Sequence, residues 1–424
     1  MKVTDREYAL ELDRNDSLAH FRERFLITDP DLCYLDGNSL GRLPHKTITA
    51  VSDFLTHEWG REVVTGWGHW VDEAQPAGDL LARSVLGAGP GQTLVCDTTS
   101  VNFYQLCLAA INSRPGRKTI ITDAANFPTD RYILDGIAQQ LGLNLVIIDN
   151  ESPGNAENER ITVDILKAHM SDDVALVTFE VIQYRSGARN DIKSITDFVR
   201  SFGAWMLWDA SHAAGAIEMD FDANGVDLAV GCTYKYGNSG PGAPAWLFVS
   251  KRVQRELQVP IQGWFGNEDQ FGMGPDFVKA EGIRGFQIAS PSIIGIRGVQ
   301  VAFEMIEEAT IDAISEKAAT GTQLMIDLYD AWLADLGYTL LTSRSADERG
   351  GHISLGHPDA ARICIALRQF ASVIPDYRTP NSIRLAIAPL PTSYTEVWDG
   401  FERIRDLTIS RKYEEIKGSD SRVT

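Results

Sequence analysis

Two charged residues, each placed just after an apolar run, constrain most strongly what this chain can fold into. The run 204–208 leads directly into Asp209, and the run 226–230 is followed a few residues later by Lys235. In an open α/β sheet, the carboxyl ends of such strands meet at a ligand crevice. We therefore expect the carboxylate of Asp209 and the amine of Lys235 to lie together at one edge of a sheet.

A carboxylate and an amine in one crevice are the two charged groups that a pyridoxal phosphate (PLP) site requires. The amine forms a Schiff base with the aldehyde of PLP, and the acid keeps the pyridine nitrogen protonated so that the ring accepts electrons. An ordinary structural ion pair is the alternative, because such pairs are common in folded proteins. The pair by itself leaves both interpretations open.

A possible phosphate site lies upstream, where residues 98–102 follow the apolar segment 93–96 and begin a helix-like run. The hydroxyl groups of Thr99 and Ser100 stand at this helix start, and a helix N-terminus attracts anions such as phosphate. A plain N-cap is the commoner meaning of such residues. Both readings remain open at this point.

A third candidate element follows the strand-like segment 118–122. Here Phe127 precedes a proline that fixes the turn, and Asp130 comes shortly after it. The ring of Phe127 is placed to stack on a pyridine ring, although a loop phenylalanine more often packs in the core. The element therefore supports a ligand crevice without proving one.

Strand-like and helix-like runs alternate from about residue 61 to about residue 305, which predicts a mainly parallel sheet with crossover helices. The strand candidates are 145–148, 175–179, 204–208, 228–230 and 245–249. The glycine-rich segment 237–242 lacks the strand–turn–helix context of a dinucleotide fingerprint. We predict an N-terminal segment (1–60) that contributes to a small domain and to the site entrance, a large domain (61–305) and a small C-terminal α/β domain (306–424).

Composition excludes several classes of function. The net charge of −19 argues against nucleic acid as a partner, because phosphate neutralisation needs a basic surface. No apolar stretch approaches the ~20 residues that span a bilayer, and the first residues have no apolar signal core. The five cysteines are scattered without a Cys-x-x-Cys pair, and the histidines lack metal-ligand spacing. We expect a cytoplasmic protein that acts on a small molecule, without a metal or a membrane.

An ordered set of motifs resembles the kynureninase family from about residue 8 to about residue 410. The matching segments are 34–41, 126–130, 231–236, 263–266, 375–378 and 383–385. The resemblance implies a fold-type I PLP enzyme, similar to class V aminotransferases, with a mainly parallel seven-stranded sheet in its large domain and a smaller C-terminal α/β domain. It also implies PLP as the cofactor and a homodimer with shared active sites.

The resemblance assigns roles to the cofactor residues. Lys235 is implied to carry PLP and to move the substrate α-proton, and Asp209 to pair with the pyridine nitrogen. His212 is expected near the ring, with Phe127 stacked on it and Asp130 supporting the loop. The phosphate contacts that the resemblance implies are Thr99, Ser100 and Tyr234, with Trp264 and Ser290 reaching it from the partner subunit.

The implied substrate is L-kynurenine or 3-hydroxykynurenine, whose Cβ–Cγ bond is hydrolysed to give anthranilate or 3-hydroxyanthranilate and L-alanine. Arg384 is implied to bind the α-carboxylate through a bidentate fork. The residues expected toward the substrate side chain are Asn38, Ser39, Trp67, Glu180 and Asn267.

Several positions near the implied substrate depart from the family pattern. Glu180 stands where the family has a small polar group, and Asn267 where it has a histidine. Ala289-Ser290 replaces a polar pair, and Pro391 an aromatic residue. Two alternatives therefore stay open: another PLP reaction, such as β-elimination, C–S cleavage or decarboxylation, and a non-catalytic protein with this fold.

Overall fold

The computed structural model describes residues 1–151 and 159–417. The strands are β1 (Cys33–Tyr34), β2 (Thr93–Val95), β3 (Thr119–Asp123), β4 (Asn144–Ile148), β5 (Val174–Glu180), β6 (Trp205–Asp209), β7 (Leu228–Gly231), β8 (Trp246–Val249), β9 (Thr339–Leu340), β10 (His352–Gly356), β11 (Val373–Ile374), β12 (Asp376–Arg378) and β13 (Ser382–Ala386). The helices are α1 (Arg6–Asn15), α2 (His45–Asp53), α3 (Gly60–Glu62), α4 (Trp67–Trp70), α5 (Ala74–Leu81), α6 (Thr99–Asn112), α7 (Pro128–Leu141), α8 (Val163–Lys167), α9 (Ile192–Ser201), α10 (Ile293–Ala309), α11 (Ile311–Leu328), α12 (Ala360–Phe370) and α13 (Tyr394–Ile409).

The central sheet has seven strands in the order β2-β8-β7-β6-β5-β3-β4. Every neighbouring pair is parallel except the two pairs that β8 makes, with β2 and with β7. Strands β5, β6 and β7 are buried along their whole length, which explains why they read as continuous apolar runs rather than alternating ones. The predicted α/β fold with a mainly parallel seven-stranded sheet is confirmed.

Two apolar clusters cover the two faces of this sheet. Leu207 packs in one cluster with side chains of α6 and α7, whereas its neighbours Met206 and Trp208 pack in the other with α9 and α10. Successive strand residues point to opposite faces, so a single strand feeds both clusters. Because both faces are covered, polar side chains can gather only where the strands end.

A smaller sheet with the antiparallel order β12-β13-β10-β9 packs with α11, α12 and α13 around a third apolar cluster. The N-terminal strand β1 pairs with β11 of this region, and Ala9 and Cys33 lie in the same cluster. The predicted boundaries at residues 60 and 305 stay predictions, and residues 418–424 of the third segment lie outside the described residues. Across the described residues, no helix combines the length and apolar character needed to cross a bilayer.

Candidate active site

A cleft opens at the carboxyl edge of the central sheet. Asp209 ends β6, Glu180 ends β5 directly opposite it in register, and Lys235 follows β7. The cleft encloses about 730 Å³ between its walls, part of it open to solvent. Its lining comprises Asn38, Ser39, Thr99, Ser100, Phe127, Thr129, Asp130, Glu180, Asp209, Ser211, His212, Tyr234, Lys235, Arg378 and Arg384.

The amine of Lys235 lies at the centre of this lining. Its Nζ is 3.1 Å from Nε2 and 3.3 Å from Nδ1 of His212, and 5.9 Å from the centre of the Phe127 ring. The pKa of His212 lies well below its usual range, first because the ring is buried and then because of the positive charges of Lys235 and Arg384, so the imidazole is neutral. The predicted convergence of Asp209 and Lys235 in one crevice is found.

The N-terminus of α6 forms one end of the cleft. Thr98 caps the helix by accepting a hydrogen bond from the Val101 amide at 3.3 Å, which leaves Thr99 and Ser100 in the first turn. Tyr234 also lines the cleft, and the neighbouring Cys232 together with burial raises its pKa, so its hydroxyl keeps its proton as a donor. These donors and the helix dipole fit a phosphate group.

Three buried acids, Asp130, Glu180 and Asp209, face the amine of Lys235; they are 2%, 1% and 4% exposed. Burial, and after it the charge of Asp209, raises the pKa of both Asp130 and Glu180 well above the usual range. Asp209 accepts a hydrogen bond from the Ser211 amide at 2.6 Å, and the carboxyl group of Asp130 shares a hydrogen bond with that of Asp209. A buried carboxylate held in this way fits a ligand that brings a positive or N–H group.

Arg384 lies at the other end of the cleft and is almost fully buried. Its Nε and one terminal nitrogen bind Asp376, and the same terminal nitrogen donates to Ser39 at 3.0 Å. The second terminal nitrogen donates to the Tyr184 carbonyl at 2.5 Å and lies 3.4 Å from Nε2 of His212. All its N–H groups therefore have an acceptor nearby, and a carboxylate ligand must displace the weaker ones, Ser39 and His212.

The loop that carries Asn38 and Ser39 is held against the lysine segment. The amide of Gly41 donates to the Tyr234 carbonyl at 2.8 Å, and a Cβ at this position would stand 2.5 Å from the Lys235 carbonyl oxygen. Only glycine permits that approach. Asn38 is fully buried at the cleft with neither amide atom partnered, so it is ready to bind a ligand.

Asp36 lies near Arg378 and Arg384. Its pKa is raised to about 7, mainly by burial and secondly by the charge of Asp376. Folding therefore favours its protonated form, a stabilisation that is complete below the unfolded pKa near 4 and is lost as the pH rises through about 7.

We expect the melting temperature of Asp36→Asn, relative to that of the parent protein, to be higher at pH 8 than at pH 5 by roughly 2 °C or more. Thermal melts of the PLP-loaded proteins at the two pH values measure this; a constant difference would contradict it.

Comparison with known proteins decides the family. A family model described as the kynureninase C-terminal domain matches residues 314–404. The kynureninase of Burkholderia pseudomallei (strain 1106a) is 35% identical over 408 residues, which cover 95% of each chain. That of Pseudomonas fluorescens is 33% identical over 413 residues, 96% of each chain. The chain belongs to the kynureninase family.

Solved structures with the same fold include a cystine C–S lyase and a cysteine desulfurase. A mutant of the cystine C–S lyase C-DES, with glycine linked to its PLP cofactor, superimposes with a TM-score of 0.78 at 16% identity and covers 89% of this chain and 97% of its own. A cysteine desulfurase from Escherichia coli gives 0.75 at 15%, with 93% and 99% covered. At these identities the likeness shows the fold alone, which agrees with the predicted fold type.

Some residues that the kynureninase resemblance implicates lie outside the cleft of their own chain. Trp67 packs on Trp70 and Phe265, with ring centres 5.6 and 6.5 Å apart. Asn267 accepts a hydrogen bond from the Val278 amide at 3.1 Å in a separate loop. The other residues outside the cleft are Trp264, Ala289 and Ser290, which are exposed, and Pro391, which is buried with its carbonyl bound to Arg22.

Sequence reasoning missed several lining residues of this kynureninase-family cleft. Ser211 stands two positions after Asp209, and Thr129 lies within the segment 126–130, so the quoted motifs already contained or adjoined them. Arg378 belongs to the motif 375–378, but nothing in the sequence indicated that its guanidinium reaches the cleft. The motifs therefore contained more cleft residues than those to which a role had been assigned.

A cluster of possible metal ligands, Glu58, His69 and Glu73, lies near the tryptophans of α4. Arg297 donates to Glu58 at 2.7 Å and to Glu73 at 2.8 Å. Because the guanidinium already supplies the positive charge, the cluster is explained as an ion-pair network.

Proposed function

We propose that this protein is a kynureninase, which uses PLP to hydrolyse the Cβ–Cγ bond of L-kynurenine or 3-hydroxykynurenine. The products are anthranilate or 3-hydroxyanthranilate, together with L-alanine. The observation that carries the proposal is the family match over 95% of the chain, combined with a cleft in which Lys235 and Asp209 converge.

The cleft residues fit PLP at each of its polar groups. Thr99, Ser100 and Tyr234 would hold the phosphate at the start of α6, and Lys235 would form the covalent link. Asp209 would pair with the ring nitrogen, and its burial at the end of β6 in the cleft supports this placement. When bound there, PLP supplies the electron sink that makes cleavage next to the amino-acid carbon possible.

The remaining steps are assigned to side chains of this protein. The amine of Lys235, released when the substrate amine binds, would take the proton from the substrate α-carbon. Arg384 would bind the α-carboxylate, exchanging its contacts to Ser39 and His212 for the two carboxylate oxygens. Ser39 would then be free to donate its hydroxyl proton to the same ligand, with the buried amide of Asn38 beside it.

A direct assay tests the proposal. PLP-loaded protein mixed with L-kynurenine or 3-hydroxykynurenine should release fluorescent anthranilate or its hydroxy form in step with L-alanine. The same protein is offered a panel of other amino acids, including L-cystine, as the comparison. Bound PLP without aryl product from either kynurenine would reject the assignment.

A different reaction on the same cofactor is the second candidate. The observation that favours it is Glu180, an additional acid buried beside Asp209 at a position where the resemblance to kynureninases implies a small polar group. Pyruvate, sulfide or carbon dioxide released from another amino acid in the panel would support β-elimination, C–S cleavage or decarboxylation instead.

We further propose a homodimer with shared active sites. Apolar side chains are exposed in and near the loop that carries Trp264: Trp264 itself is 41% exposed, Phe271 64% and Met273 69%. The rings of Trp264 and Phe271 lie 6.1 Å apart, so they form one patch. Exposed apolar patches of this kind mark interfaces, and a partner would also bring Trp264 and Ser290 to the other cleft.

We expect subunit mixing to restore activity between two weak variants. Lys235→Ala removes the amine, and Trp264→Ala removes a group that the shared-site arrangement supplies to the partner's cleft. A mixed dimer of the two contains one cleft with both groups intact, so co-expression should return a substantial fraction of parent activity. Light scattering should give twice the chain mass of 46.8 kDa. A monomer, or co-expression without recovery, would contradict the arrangement.

A cytoplasmic location is proposed as well. The cysteines Cys33, Cys96, Cys107, Cys232 and Cys364 are all free and buried. Free buried thiols are typical of a reducing compartment. Cell fractionation with an antibody against the protein measures this, and recovery outside the cytoplasmic fraction would oppose it.

A further inference from the structure

Glu180 occupies a position in the cleft that the reaction described above does not use. It ends β5 in register with Asp209 at the end of β6, so the two side chains stand next to each other. Its carboxyl is 1% exposed and lines the cleft. A buried acid that faces the site of an anionic cofactor requires either a cationic partner or a proton of its own.

The groups around Glu180 favour the proton. Asp209 faces it from β6 and Asp130 from α7, and both raise its pKa, whereas the hydrogen bond from the Tyr184 amide and, more weakly, the charge of Lys235 lower it. Burial, and after it the charges of Lys235 and Arg384, lower the pKa of the neighbouring His212, so it adds no positive charge. Burial raises the pKa of Glu180 more than any of these charges. These surroundings favour the protonated form of the Glu180 carboxyl group.

The hydrogen bonds of Glu180 show how this acid is oriented. Its Oε2 accepts from the Tyr184 amide at 2.9 Å, and its Oε1 lies 3.7 Å from Nδ1 of His212. His212 lies between Glu180 and two cations: its Nε2 is 3.4 Å from Arg384 and 3.1 Å from the Lys235 amine. Oε2 of Glu180 is thus an acceptor, and Oε1 is available to carry an O–H toward a ligand in the cleft.

The order of the strands indicates which ligand atom meets this O–H. Strand β2 leads into α6, strand β7 leads into Lys235, and Glu180 ends strand β5. In the sheet, β7 lies midway between β2 and β5. The lysine therefore lies between the start of α6 on one side and Glu180 on the other. In PLP the phosphate arm and the 3-oxygen flank the aldehyde carbon on opposite sides. With phosphate at α6 and the aldehyde carbon at Lys235, the 3-oxygen falls on the side of Glu180.

We propose that Glu180 is a neutral carboxylic acid that donates a hydrogen bond to the 3-oxygen of bound PLP. The inference rests on the proposed function only in requiring PLP in the cleft. The donor draws negative charge away from the 3-oxygen and so tunes the basicity of the nitrogen that links Lys235 to PLP.

A pH titration of the absorbance of bound PLP tests this without any turnover. The midpoint of the titration reports protonation of the nitrogen between Lys235 and PLP. Glu180→Gln keeps a neutral hydrogen-bond donor, and we expect its midpoint within about 0.3 pH unit of the parent value. Glu180→Leu removes the donor, leaves more charge on the 3-oxygen and should raise the midpoint by about one unit. Glu180→Val replaces the leucine variant should the latter not fold.

Two results would overturn the inference. A midpoint lowered by about one unit in Glu180→Gln would mean that the parent carboxyl is ionised, because removing a negative charge disfavours the protonated nitrogen. An unchanged midpoint in the donor-free variants would mean that the O–H does not reach the 3-oxygen. Glu316→Gln, an exposed acid on α11, is the matched control and should not move the midpoint. Failure of the proposed function is distinguishable, since it appears as missing aryl product while this titration can still be read.

Discussion

Lys235→Ala is expected to abolish the absorbance band of lysine-linked PLP near ~420 nm and to lower kcat/KM by at least about 10³-fold. Two functions are lost together, because the same amine anchors the cofactor and moves the α-proton. No other amine can replace it in the cleft, because Lys235 is the only lysine among the described lining residues. Absorbance spectra and the anthranilate assay on equal amounts of protein measure both losses.

The control for this variant is Lys251→Ala, an exposed lysine that follows β8 in the same region of the chain. It should keep both the band and the activity. Borohydride reduction followed by peptide mass spectrometry should find PLP on Lys235 in the parent protein and on no peptide of Lys235→Ala. Retained turnover in Lys235→Ala, or PLP on another lysine, would remove Lys235 from its assigned place.

Much of the cleft was predictable because the end of an apolar run in the sequence shows where a buried strand ends. Asp209 and Lys235 follow continuous apolar runs, and a buried parallel strand must place whatever follows it at the carboxyl edge of the sheet. Thr99 and Ser100 follow the same logic at the start of α6. These residues depend only on local pattern and on the rule that parallel strands share an edge.

Other parts of the cleft depend on pairings that local pattern does not specify. Asp376 meets Arg384 because β12 and β13 pair antiparallel in the register that sets these two residues opposite each other. A shift of that register by one residue would turn Asp376 away from the guanidinium. The resemblance indicated a role for Arg384, but its partner Asp376 followed only from the register.

Residues that require a second subunit form a third group. Trp264 and Ser290 are exposed in the single chain, so neither local pattern nor the fold of one chain brings them to a cleft. Their roles came from the family resemblance and stay a prediction until subunit mixing is measured. Glu180 differs again: the resemblance marked it as a departure, and the register with Asp209 then gave that departure a physical meaning.

Arg384→Lys is expected to raise the KM for the amino-acid substrate about 10- to 100-fold, with a smaller change in kcat. A lysine keeps the positive charge but loses the planar fork, and hydrogen bonds to charged groups contribute about 1.5–3 kcal/mol. The fold should tolerate the change, because Asp376 keeps its bond from Nε of Arg378 at 2.9 Å. Steady-state kinetics over a range of substrate concentrations, with melting temperatures recorded alongside, separate a binding defect from a folding one.

The matched comparison is Arg378→Lys, since Arg378 lines the same cleft and shares Asp376 with Arg384. Only the Nε of Arg378 is bound to Asp376, so its terminal nitrogens are the second candidate for the carboxylate. If Arg384 forms the fork, Arg384→Lys raises KM strongly and Arg378→Lys raises it weakly. The reverse order would transfer the carboxylate to Arg378 and leave Arg384 as the residue that holds Ser39, Asp376 and His212 in place. An unchanged KM in both variants would place the substrate carboxylate away from this pair of arginines altogether.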